Sequence, residues 1–228
     1  MNKAIEHYED KDVRIIKNKH SSVSVKTGMN KGIYIITNRK LIEERTLTEV
    51  IESSVKGGAV AVILREKDLD ADSLMELAIK LKEKVSRSTS LFIINGSYEV
   101  AKTVGADGLH LSFNNFMSFQ EEFNGFLGVS VHSLEEAILA EQKGASYLIA
   151  GHIFETSCKE GMKGRGLDFL SKICESVTIP VIAIGGISEH NISNIMKCGA
   201  YGAAVMSSVM QSEDPESYIC KLRYKSNL

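Results

Sequence analysis

Gly128-Val-Ser-Val-His-Ser133 is the first part of a segment that continues through Ile149-Ala-Gly-His-Ile-Phe-Glu-Thr-Ser-Cys-Lys159 to Gly164-Arg-Gly166. It reads as strand, helix, strand and long loop. Leu127 to Val131 is an apolar run of strand length, suited to burial on both faces. Ser133 and Glu136 have capping-box spacing, so a helix is expected to start at Ser133. Leu134, Ala137, Ile138 and Glu141 give that helix one apolar and one polar face, and Gly144 ends it. Tyr147 to Ala150 is the next buried strand. The loop after it, about fifteen residues rich in Gly, Lys and Glu, is long for such a connection and so a functional candidate.

The same unit recurs on both sides. Upstream, expected strands are Ile33 to Ile36, Ala59 to Leu64, Leu91 to Ile94 and Asp107 to Leu111. Expected helices begin at a Thr46/Glu49 capping box, run from Asp70 to Val85, follow Asn95-Gly96-Ser97 as far as Gly105, and run from Asn115 to Phe123. Downstream come a helix from Leu167 to Val177, a strand from Ile179 to Ile184, a helix capped by Ser188, a strand from Tyr201 to Met206 and a helix from Glu213 to Arg223. Eight strand–helix units in roughly 195 residues call for a parallel sheet closed into a (β/α)8 TIM barrel. A doubly wound open sheet is the alternative, but the G-x-G-x-x-G turn it would carry is missing. Residues 1–30 are polar and of mixed charge, with Val13 to Ile16 either a short strand or a frayed helix, and read as an N-terminal extension to a single domain spanning 31–228.

Composition bounds the function. Twenty-seven Lys and Arg against 29 Asp and Glu give a net charge of −2, with no basic stripe, so no nucleic-acid partner is expected. No apolar run is long enough to span a membrane, and the N-terminus lacks a secretory core. The four cysteines form no C-x-x-C pair. Cys174, Cys198 and Cys220 are expected to be small buried residues in helices, and the chain is expected to be cytoplasmic.

Barrel chemistry gathers at the C-terminal ends of the strands. Gly185-Gly186 follows strand seven and Ser207-Ser208 follows strand eight, and these two loops are either a phosphate site, as often in barrels, or a plain turn and a helix cap. Arg65 and Lys67 follow strand two and are either anion-binding or a solvated charge run. His132, at a strand–helix junction, is either a proton-transfer residue or a helix-end histidine without a role. His110 and His152 read as packed histidines. Glu155, Thr156 and Lys159 lie on the long loop, where Glu155 is either an acid–base group or a solvated carboxylate and Gly161, Gly164 and Gly166 give a lid its hinges. No paired-carboxylate metal site is present.

Several of these stretches resemble the thiamine phosphate synthase and TenI superfamily. They are Val62-Ile-Leu-Arg-Glu-Lys67, Ile93-Ile-Asn95, Gly105-Ala-Asp-Gly-Leu-His-Leu111, Gly128-Val-Ser-Val-His-Ser-Leu-Glu-Glu-Ala137, Ala183-Ile-Gly-Gly-Ile187 and Ala204-Val-Met-Ser-Ser208. The resemblance covers about residues 32–222 and implies the barrel already derived. Synthases of this superfamily bind magnesium through an aspartate after strand three and another after strand four. Here those stretches read Asn95-Gly96-Ser97 and Ser112-Phe113-Asn114-Asn115. The loop from Gly151 to Gly166 is similar instead to the TenI-type thiazole tautomerases. That implies a cofactor-independent isomerase of thiamine biosynthesis that aromatises a carboxythiazole phosphate. The resemblance makes His132 the proton shuttle and Gly185, Gly186, Ser207 and Ser208 the phosphate holders. Arg65 and Lys67 take an anion role, and Asn95, Ser130, Glu155, Thr156 and Lys159 complete the expected substrate contacts. The alternatives are a thiamine phosphate synthase, with Mg²⁺ as cofactor, and a non-catalytic regulatory barrel that binds a phosphorylated ligand. The expected partner is a small phosphorylated thiazole, and a homo-oligomer is left open.

Overall fold

The computed structural model describes residues 28–156, 161 and 163–227. The expected extension lies outside the described residues up to position 27, as do the Val13–Ile16 element, Cys158 and Lys159. The residues leading into the barrel are anchored: Tyr34 Oη donates to the Asn30 carbonyl and Tyr201 Oη to the Met29 carbonyl, each at 2.7 Å.

The strands are β1 (Gly32–Ile36), β2 (Ala61–Leu64), β3 (Leu91–Asn95), β4 (Gly108–Ser112), β5 (Phe126–Val131), β6 (Tyr147–Gly151), β7 (Val181–Ile184) and β8 (Gly202–Val205). All pair in parallel with their sequence neighbours, and β8 returns to β1 through Gly32 opposite Gly202. The barrel is closed, which leaves no sheet edge. Alternate residues face inward. Tyr34, Ile36, Ala61, Ile63, Leu91, Ile93, Tyr147 and Ile149 fill the interior, while Ile33, Ile35, Val62, Leu64, Phe92 and Ile94 face the helices.

The helices are α1 (Leu47–Lys56), α2 (Ala71–Val85), α3 (Tyr98–Thr103), α4 (Phe113–Ser118), α5 (Leu134–Gln142), α6 (Leu167–Ser176), α7 (Ile192–Lys197), α8 (Ser207–Met210) and α9 (Pro215–Ser226). Local side-chain chemistry fixes most of their starts. The Thr46/Glu49 capping box forms in full. Asp70 and Ser97 also accept N–H bonds from the third residue beyond.

Four expectations change. The helix after β4 begins at Phe113 rather than Asn115, because Ser112 caps it. The last helix begins at Pro215, with Asp214 as its cap, since a proline at the first helical position gives up an N–H that has no partner there. Ser188 caps nothing: its N–H donates to Asn191 Oδ1 at 2.9 Å and α7 starts four residues later. Cys220 is exposed on α9, and Cys174 and Cys198 are half-buried. Among the described residues no helix is long and apolar enough to cross a membrane.

Candidate active site

A cavity of about 510 Å³ opens at the C-terminal ends of the strands. Nine of the twelve expected site residues line it: Arg65, Asn95, Ser130, His132, Thr156, Gly185, Gly186, Ser207 and Ser208. Lys67 and Glu155 do not. Both are exposed, Lys67 in the segment after β2 and Glu155 on the loop after β6. The third, Lys159, lies outside the described residues.

Strand register decides which member of Arg65-Glu66-Lys67 enters the cavity. The Arg65 N–H donates to Thr37 Oγ1 at 2.9 Å, which pins the residue at the mouth. Glu66 turns away and is buried. Its carboxylate accepts the Arg39 backbone N–H and the Arg39 guanidinium, each at 3.0 Å. Asp68 completes this clamp by pairing with Arg39 Nη2 at 2.7 Å. The middle residue of the stretch is therefore structural.

His132 follows β5, and its side chain is 46% exposed. Glu136 does not close a capping box around Ser133. Ser133 Oγ accepts the Glu136 N–H at 3.1 Å, but the Glu136 carboxylate reaches past the cap to the His132 N–H at 2.6 Å. The same carboxylate lies 3.6 Å from His132 Nδ1.

The Gly185-Gly186 turn has φ of 105° and 62°, left-handed values that favour glycine. A Cβ on Gly186 would lie 2.8 Å from Phe154 Cβ, and one on Gly185 would lie 2.7 Å from His152 Cα. The turn packs on the start of the β6 loop, whose Ile153 and Phe154 N–H groups bond to the Ile184 and Gly185 carbonyls. Asn191, which sequence reasoning passed over, braces the turn by donating to the Gly186 carbonyl at 2.8 Å. Beside it, after the neighbouring strand β8, Ser207 and Ser208 open α8, where the leading N–H groups of a helix lack intrahelical acceptors. His152 is buried, and its Nε2–H donates to the Lys163 carbonyl at 3.1 Å, tying the far part of the loop to the cavity wall.

His110 is the main residue whose place differs from the expectation. It is buried and lines the cavity floor. Two side chains hold it, not one: Tyr147 Oη lies 3.1 Å from Nδ1 and Ser130 Oγ 2.8 Å from Nε2. Burial, and secondarily the Arg65 charge, push its pKa down to about 3, so the ring is neutral at physiological pH.

Among the described residues the cavity lining contains no Asp or Glu. Among the described residues no cluster of three or more His, Cys, Asp or Glu is placed to hold a metal ion. Magnesium is bound through oxygen, commonly one or two carboxylates with the substrate's phosphates, and this donor set does not fit it.

A (β/α)8 barrel with a cavity at its C-terminal mouth, lined by three histidines, an arginine and a glycine turn, has the architecture of a small-molecule barrel enzyme. Residues 33–209 match the family model described as thiamine monophosphate synthase. The thiamine-phosphate synthase of Pyrococcus furiosus is 39% identical over 194 residues, covering 84% of this chain and 92% of that protein. That of Clostridium acetobutylicum is 37% identical over 185 residues, covering 79% and 88%. The solved thiamine phosphate pyrophosphorylase from Pyrococcus furiosus superposes with a TM-score of 0.75 at 36% identity, covering 86% of this chain and 96% of that one. The chain belongs to the thiamine monophosphate synthase family.

Proposed function

We propose that this member of a thiamine-biosynthetic enzyme family is a cofactor-independent thiazole tautomerase acting on a carboxythiazole phosphate. The observation that carries this reading is a cavity with His132 at its wall and no carboxylate among its described lining residues. In the reaction a proton leaves ring carbon C2, the ring becomes aromatic, and the exocyclic carbon gains a proton. Nothing else enters or leaves. His132 takes the first proton and returns the second. The Glu136 carboxylate, 3.6 Å from Nδ1, stabilises the imidazolium between the two transfers. Gly185, Gly186, Ser207 and Ser208 hold the phosphate through backbone N–H groups and hydroxyls, and Arg65 adds its charge. Binding energy at this remote group holds the ring in place for reaction.

The names of the relatives favour a second reading, a transferase that joins a pyrimidine pyrophosphate to a thiazole phosphate. Against it stand Gly96 and Asn115 at the positions where the synthase pattern carries magnesium-binding aspartates.

One assay separates the two. The unaromatised carboxythiazole phosphate is supplied with EDTA to wild type and His132→Ala. Conversion by wild type and a loss of roughly 10²–10⁴-fold in the variant are expected. No conversion by wild type overturns the tautomerase. Thiamine phosphate formed from pyrimidine pyrophosphate, thiazole phosphate and Mg²⁺ would then establish the synthase, and binding without either turnover would leave a ligand-binding barrel.

A further inference from the structure

The proton-transfer reading gives no task to the polar file beneath the cavity. Tyr147 is fully buried, and the one hydrogen-bond neighbour of its hydroxyl among the described residues is His110 Nδ1, at 3.1 Å. A phenol in that position donates to the imidazole, because otherwise its proton would be buried without an acceptor. Nδ1 is then the acceptor, and the neutral ring must carry its proton on Nε2. That N–H points at Ser130 Oγ, 2.8 Å away, and Oγ accepts it. The Ser130 hydroxyl proton is left to turn into the cavity that Ser130 lines.

We propose that Tyr147 fixes His110 in its Nε2–H tautomer, and that this pair holds Ser130 as a hydrogen-bond donor toward the ligand. Tyr147 and His110 are thus positioning residues acting through Ser130. The groups facing the ring are Tyr147 from β6, Ser130 from β5, the Arg65 charge beyond the end of β2, and Asn95 of β3, whose Nδ2 donates to the His110 carbonyl at 3.3 Å. None of them favours a proton on Nδ1. A ligand acceptor opposite Ser130, a ring nitrogen or a carboxylate oxygen, takes up this hydroxyl proton.

The first test needs no variant. Nitrogen-15 signals of the His110 ring in the wild-type full chain should show a protonated Nε2 and a bare Nδ1, unchanged from pH 8 to pH 5. A proton on Nδ1, or titration of the ring in that range, overturns the inference. The second test measures binding of a thiazole phosphate by calorimetry, and this arm alone rests on the function proposed above. Ser130→Ala and Tyr147→Phe should each weaken binding about five- to tenfold. In the Ser130→Ala background Tyr147→Phe should cost nothing more, because its effect passes through Ser130. Additive losses would show that Tyr147 acts by another route and overturn the inference. If wild type does not bind the probe, the function reading fails and the ring-nitrogen signals still decide this one.

Discussion

Gly128 lies on the inner face of β5 directly against the Tyr147 ring, where a Cβ would overlap the phenol carbons. The missing side chain is what makes room for a large tyrosine inside a small barrel, with its hydroxyl held beneath His110. Gly128→Ala should therefore overpack the interior and cost about 1–3 kcal/mol in urea unfolding. In a Tyr147→Ala background the same substitution should cost close to nothing, because the atoms it displaces are gone. Equal costs in both backgrounds would show that the glycine serves the strand and not the tyrosine. This dependence is hard to read from sequence, since Gly128 and Tyr147 are 19 positions apart and meet only through the β5–β6 register. For the same reason His110 looks like an ordinary packed histidine until three strands bring Ser130 and Tyr147 to its two nitrogens.

At the scale of elements, the sequence is readable where a structure is closed by its own neighbours. Thr46, Asp70 and Ser133 announce helix starts because a cap bonds to a residue three positions on. Ser188 carries the same local signal and fails, because Asn191 takes up the Ser188 N–H and uses its amide to grip the Gly186 carbonyl. The start of α7 and the Gly185-Gly186 turn are therefore one assembly. Asn191→Ala removes both bonds while leaving the glycines and the cavity lining in place. It should lower stability by about 1 kcal/mol and weaken inorganic phosphate binding severalfold, with binding measured by calorimetry. Unchanged phosphate affinity would mean that the turn keeps its shape without the brace. Strand ends show where residue-by-residue reading stops. Arg65 lines the cavity and Lys67 is exposed, although both are cations two positions apart, because the chain leaves the barrel between them.

For the whole molecule, alternation of short apolar strands with amphipathic helices was enough to specify the barrel, since only closure buries eight parallel strands without edges. Closure also buries an ionisable group, and this ties stability to pH. His110 is neutral in the fold, with its pKa depressed to about 3, whereas in the unfolded chain it titrates near 6.5. Between those values the unfolded state binds a proton that the native state does not. Stability is thus fully present above pH 6.5 and declines as pH falls toward 3. Asp68, Asp70, Glu49, Glu135 and Glu141 are shifted in the same direction, with Asp68 held down chiefly by the Arg39 guanidinium and Glu141 by its bonds from Thr178. Their ordinary values lie near 4, so their contribution is lost only below that. The two windows separate the causes. From pH 6 to pH 5 the unfolding free energy of wild type should fall by about 1 kcal/mol, the slope of one proton. His110→Gln, which cannot take up that proton, should flatten this part of the curve while leaving the steeper loss below pH 4. Denaturant unfolding at half-unit pH steps would measure both. A wild-type curve flat between pH 6 and pH 5 would mean that the histidine is hydrated in the folded barrel. Its proton would then no longer be excluded, and the polar file beneath the cavity would be wet.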